Sequence, residues 1–121
     1  MVTVPAFLLR RLYVKGSLKN SPDGISFELK NSLGSGHAKE LVPLEFDGQP
    51  MSLEDSFFSL DGKETSFNDV SEKAPFTLAM NKSIRILVKG KRLELGQHKV
   101  VMGFVVVGLN KLSFDFSDKV E

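Results

Sequence analysis

Apolar and polar residues alternate along most of this chain, and the alternation breaks at glycine-bearing turns. The clearest stretches are Ser83-Ile84-Arg85-Ile86-Leu87-Val88-Lys89 and His98-Lys99-Val100-Val101-Met102-Gly103-Phe104-Val105-Val106-Val107, joined through Gly90 and Leu93-Glu94-Leu95-Gly96-Gln97. A period of two sends successive side chains to opposite faces, as in a strand with one face buried. Residues 7–19 read as a first long strand, with Leu8, Leu12 and Val14 among its apolar positions. Asn20-Ser21-Pro22-Asp23-Gly24 then supplies a turn, because proline presets φ and glycine accepts a positive one. Ile25, Phe27 and Leu29 alternate with Ser26, Glu28 and Lys30, which predicts a second, half-solvated strand hairpinned to the first.

Gly34-Ser35-Gly36-His37 is a flexible break. Residues 41–46 predict a third strand, closed by Asp47-Gly48, and residues 57–60 a fourth, closed by Asp61-Gly62 with a return through Thr65 and Phe67. The polar run 68–73 allows one helical turn, ended by Pro75. The strongest strands are 84–88 and 100–107, and 112–116 is the last. Seven to nine strands, with no helix long enough to cover a parallel sheet, predict an all-β antiparallel β-sandwich of immunoglobulin-like type. One domain spans 1–121. Its core is expected to hold Phe27, Leu29, Phe46, Ile84, Ile86, Val88, Val100, Met102, Phe104, Phe114 and Phe116, with phenylalanines filling the space between the sheets.

From Val100 onward both alternating sets of that strand are apolar, whereas a sandwich buries one face of each strand. The second set, Val101, Gly103, Val105 and Val107, must therefore meet a terminal segment such as residues 4–9, or another chain. A protein partner or a homo-oligomer is the expectation.

Composition narrows the function classes. Sixteen basic against fifteen acidic residues give a net charge of +1, without the concentrated basic patch that nucleic acid requires. With no cysteine, disulfides and thiolate metal sites are excluded. No apolar run approaches the ~20 residues that span a bilayer, so no membrane role is expected. Arg10 and Arg11 follow the first apolar stretch, where a secretory signal would place its charges before it. The expected location is cytoplasmic.

Candidate chemistry is sparse. His37 and His98 are the only histidines, which rules out a three-histidine metal site. His98 follows a turn at the head of a strand, where a ring caps the turn by hydrogen bonding. His37 is more exposed and sits beside Ser35, so these two are the candidate ligand-binding pair. Gly34-Ser35-Gly36 lies between strands and no helix follows, so it is neither a nucleophile elbow nor a phosphate cradle. The carboxylates Glu45, Asp47, Glu54, Asp55, Asp61, Glu64 and Asp69 flank turns and read as solvated surface. No catalytic residue, metal or cofactor is assigned. The expected function is a non-catalytic subunit or interaction module, and the alternative is a small carbohydrate-binding or weakly hydrolytic domain using Ser35 and His37.

Four segments in succession carry a family resemblance: Gly24-Ile25-Ser26-Phe27-Glu28-Leu29-Lys30-Asn31, Leu44-Glu45-Phe46-Asp47-Gly48-Gln49-Pro50, Phe58-Ser59-Leu60-Asp61-Gly62-Lys63 and Leu93-Glu94-Leu95-Gly96-Gln97-His98-Lys99-Val100. Together they resemble the β subunit of bacterial C-glycoside deglycosidases and its small relatives. That resemblance implies a β-sandwich bound to a larger barrel subunit that holds the metal and the catalytic residues. The chain departs from the family in having no tryptophan, and in carrying Glu72-Lys73-Ala74-Pro75-Phe76 where an aromatic-rich segment is expected. Short chains of this look also carry an inherited label of hydroxymethylglutaryl-CoA reductase. With no dinucleotide fingerprint and so few residues, that activity is not expected of this chain.

Overall fold

A computed structural model describes residues 5–32, 36–106, 108 and 111–120. The chain is an all-β antiparallel sandwich of two packed sheets, with eleven strands among the described residues rather than seven to nine. They are β1 (Lys19–Ser21), β2 (Gly24–Lys30), β3 (Gly36–Leu41), β4 (Glu45–Phe46), β5 (Gln49–Pro50), β6 (Ser56–Leu60), β7 (Lys63–Ser66), β8 (Phe76–Leu78), β9 (Ser83–Lys89), β10 (Gly96–Val106) and β11 (Lys111–Val120). The first sheet runs β1-β2-β9-β6-β7. The second runs β5-β4-β10-β3-β8, and β11 pairs with the other edge of β10 along most of its length. The edge of β10 opposite β11 is shared: β4 takes Val100 and Val101, and β3 takes Phe104 to Val106 across a bulge.

The two clearest alternating stretches, β9 and β10, are not a hairpin. They sit in different sheets, and the connection between them crosses from one layer to the other. The Asp-Gly hairpins do form. Asp47 and Gly48 stand at φ 53° and 87°, Asp61 and Gly62 at 52° and 83°, both central residues positive as a primed two-residue turn requires.

Three expected elements differ. Residues 7–19 are not one strand: Ala6–Leu9 form a single helical turn, α1, and Arg10–Leu12 a 3-10 turn. Leu9 and Leu12, three residues apart, share one helical face and are both buried, so the 3.6 period wins over the apparent alternation. Residues 41–46 break in two, because Pro43 between β3 and β4 has no N–H to give a ladder and restrains Val42 before it. The short β8, directly after Pro75, was hidden by the polar run ahead of it. The polar run itself makes only a 3-10 turn at Phe67–Asp69.

All eleven residues expected in the core are buried, with exposures from 0% to 8%. Seven of the ten phenylalanines are buried too, and Phe7, at 66% exposed, is the outlier. Aromatic contacts tie the layers together. Phe27 of the first sheet meets Phe116 of the second at 5.3 Å between centroids, and Phe58 meets Phe76 at 4.8 Å. Offset and edge-on pairs at such distances add about 0.5–1.5 kcal/mol each beyond their buried area. Tyr13 stacks on Phe116 at 3.7 Å and so fastens the N-terminal segment to the same cluster.

Candidate functional site

The sequence-level site residues are scattered. Ser35 and Val107 lie outside the described residues. His37 stands exposed on β3, its Nδ1 3.0 Å from Thr77 Oγ1 on the neighbouring β8. Val101 and Val105 are half-buried on the outward face of the second sheet, and Gly103 between them is buried. The β10 register explains why these valines are not fully exposed. Val101 lies between Glu45 and Asp115, and Val105 between Glu40 and Lys111, so long polar side chains flank each one. A methyl group at Gly103 would come within 3.4 Å of Val42 Cβ, which places the Val42 side chain over that gap. Of the expected covering segment, residue 4 lies outside the described residues, and the described part takes another place. It packs along the outer edge of β11 instead, where Arg10 donates through Nε to the Asp115 carbonyl at 2.8 Å and pairs with its carboxylate at 2.7 Å.

His98 behaves as a turn cap. Its Nδ1 lies 2.5 Å from Asp47 Oδ2 and its Nε2 2.6 Å from the Glu94 carbonyl. Both partners only accept, so the ring satisfies them together only as the imidazolium, with an N–H on each nitrogen. The hydrogen bond to Asp47, then that to the Glu94 carbonyl, raises the His98 pKa above its ordinary value. The Asp47 carboxyl is lowered in turn, by His98 first and then by the Lys99 amide, 2.9 Å from Oδ1. This clamp ties the β4–β5 turn to the segment entering β10.

A second carboxylate organises the N-terminal loop. Asp118 Oδ2 accepts from the Tyr13 hydroxyl at 2.6 Å and from the Gly16 amide at 2.7 Å. Burial, and then the Asp118 bond, push the Tyr13 phenol up to about 12, while the same bond holds Asp118 low. Among the described residues, no three His, Asp or Glu side chains gather as a metal site would need.

One cleft was not legible in the sequence. It has a volume of about 290 Å³ and lies on the outward side of the first sheet, where residues 14–17 bulge away from the edge of β2. Lys15, Lys19 and Arg85 line it with Ser26 and Glu28. Alternation on β2 sends Ile25, Phe27 and Leu29 into the core and Ser26 outward, yet Ser26 is only 1% exposed. It was expected on a solvated face. Its neighbours in the ladder are Lys19 on one side and Leu87 on the other. These residues come from a loop and three strands, so no spacing along the chain announces them.

A family model described as hydroxymethylglutaryl-CoA reductase, N-terminal domain, matches residues 8–121. The chain belongs to this family. That membership overturns the resemblance to the C-glycoside deglycosidase β subunit, a different family. The segments that suggested it are explained by their structural work: two are the Asp-Gly hairpins just described, one is β2, and one is the His98 clamp at the start of β10. Any antiparallel sandwich selects such strand-and-turn residues. No curated protein matches this member of the hydroxymethylglutaryl-CoA reductase N-terminal domain family. No described helix is long and apolar enough to cross a membrane.

Proposed function

We propose that this chain is a non-catalytic β-sandwich module that works in the cytoplasm by assembling with a larger catalytic polypeptide, a hydroxymethylglutaryl-CoA reductase. One observation carries the proposal: the family is described as a domain of that reductase, and its match takes in nearly the whole chain. The employment of the side chains supports it. His98 and Asp47 are spent on a turn clamp, Asp115 on Arg10, and Asp118 on Tyr13, which are structural duties. Assembly would use the outward face of the second sheet, where the half-buried Val101 and Val105 flank Gly103.

The test is a binding and activity measurement on the purified chain. The expected result is no reduction of hydroxymethylglutaryl-CoA by the chain alone, and a complex with the catalytic reductase polypeptide that Val101→Asp with Val105→Asp dissolves. Reduction by the chain alone would overturn the reading. So would a chain that stays monomeric by light scattering at high concentration and fails to bind the reductase polypeptide. A thermal shift with a sugar, abolished by His37→Ala, would favour a carbohydrate-binding domain instead.

A further inference from the structure

The cleft beside β2 joins unpaired positive charge, on Lys19 and Arg85, to an unmet hydrogen bond. We propose that it binds the phosphate monoester group of a small metabolite. The Ser26 hydroxyl oxygen is sealed from solvent and has no hydrogen-bond partner among the described residues. Buried polar groups without partners are rare in folded proteins, and one at the floor of a charged cleft points to a ligand that supplies the partner. Lys15, Lys19 and Arg85 line the same cleft, and none of the three forms an ion pair or a side-chain hydrogen bond with a described residue, although Lys15 is drawn electrostatically to Asp118. Arg85 and Glu28 face each other across the β2–β9 ladder without closing an ion pair.

Donor count selects the ligand. Three cations face the lining carboxylate of Glu28, and Lys15 is also drawn to Asp118, whose carboxylate accepts from the Gly16 amide, so an excess of one positive charge remains for an anion. A phosphate monoester presents three terminal oxygens to the fork, ammonium and hydroxyl donors gathered here, whereas a carboxylate presents two. The Arg85 guanidinium offers a planar fork for two oxygens, the lysines add point charges, and the serine hydroxyl donates to a third oxygen. Binding draws Lys19 and Arg85 onto the phosphate and opens the floor to it. A volume of about 290 Å³ admits the phosphate and a compact group attached to it, and is too small for a whole dinucleotide.

This site stands apart from the proposed assembly and is tested on the chain alone. Phenyl phosphate, inorganic phosphate and acetate are titrated at low ionic strength, where exposed lysines are least screened, with calorimetry and amide chemical shifts as readouts. The expected result is one equivalent of phenyl phosphate shifting the amides of 14–19 and 26–28, with acetate at least about tenfold weaker. Arg85→Gln should weaken binding about tenfold, and Lys19→Gln, on the short edge strand, by a smaller factor of about three. Ser26→Ala gives the sharper reading: it should raise the thermal midpoint of the free chain, by removing the unmet hydroxyl, while weakening phosphate binding several-fold. Acetate binding as tightly as phosphate, no binding at millimolar concentration, or phosphate affinity unchanged by Ser26→Ala would each overturn the proposal.

Discussion

At the scale of single residues, the two histidines separate by what their ring nitrogens touch. His37 has one partner on an exposed strand, while His98 holds an acceptor on each nitrogen and is 13% exposed. The raised pKa of His98 sets the sign of a pH effect. Its contribution to stability is complete below the unfolded value of about 6.5 and is lost as pH rises through the higher folded value. The carboxyls of Asp47, Asp115 and Asp118 are lowered by His98, Arg10 and Tyr13 respectively, so they act oppositely. Their contribution is present above about 3.9 and disappears as pH falls through the folded values. Urea midpoints measured across pH should therefore peak between roughly pH 5 and 6.5 and decline on both sides. The difference between wild type and His98→Ala should be largest in that window and shrink toward pH 9. A difference that grows with pH would mean the ring is held neutral and the clamp is misassigned.

At the scale of elements, the same substitution at two glycines separates backbone strain alone, at Gly48, from strain joined to a close approach, at Gly24. Gly24 starts β2 directly opposite Lys89, and a methyl group there would run into the Val88 carbonyl oxygen, forcing β2 and β9 apart. Gly48 has φ 87° with open space around the missing side chain, so alanine meets only the left-handed conformation. Gly48→Ala should thus cost about 1–2 kcal/mol, and Gly24→Ala more, on the order of 3 kcal/mol, because packing and ladder both give way. Denaturant unfolding of the two variants reads the order directly. Elements whose identity rests on local chemistry were legible in the sequence: the Asp47-Gly48 and Asp61-Gly62 hairpins, and the core faces of β2, β9, β10 and β11, down to every residue named. What failed was period assignment on short runs. Leu8, Leu12 and Val14 imitate a strand, although Leu9 and Leu12 are the pair that a helical turn buries. Sheet membership was illegible for another reason. The 90–95 connection carries no mark of crossing between layers, so β9 and β10 look like neighbours. The basic cleft was beyond reach because register, not spacing, brings Lys19, Ser26 and Arg85 together.

At the scale of the whole molecule, the question is how two open sheets avoid pairing with other chains through their edges. Four of the edge strands answer by being short or awkward. β1 and β8 have three residues each, β5 has two and ends in Pro50, and the four-residue β7 begins with Lys63-Glu64. β11 is different: it has ten residues and, among those described, pairs only with β10. The N-terminal segment guards it. Leu9 and Leu12 are buried in the common core, Arg10 caps the Asp115 carbonyl, and Tyr13 with Gly16 holds Asp118. The edge is therefore closed by one segment. Removing residues up to Leu12 should expose that edge and withdraw two core leucines, at about 1.5–3 kcal/mol for each fully buried leucine. The shortened chain should associate in a concentration-dependent way, seen by light scattering, with new strand pairing seen as slowed amide exchange in β11. Arg10→Gln alone, an exposed substitution, should shift stability by less than about 1 kcal/mol and leave the association state unchanged. A shortened chain that stays monomeric, with β11 amides exchanging no faster than in the full chain, would show that some other part of the molecule protects this edge.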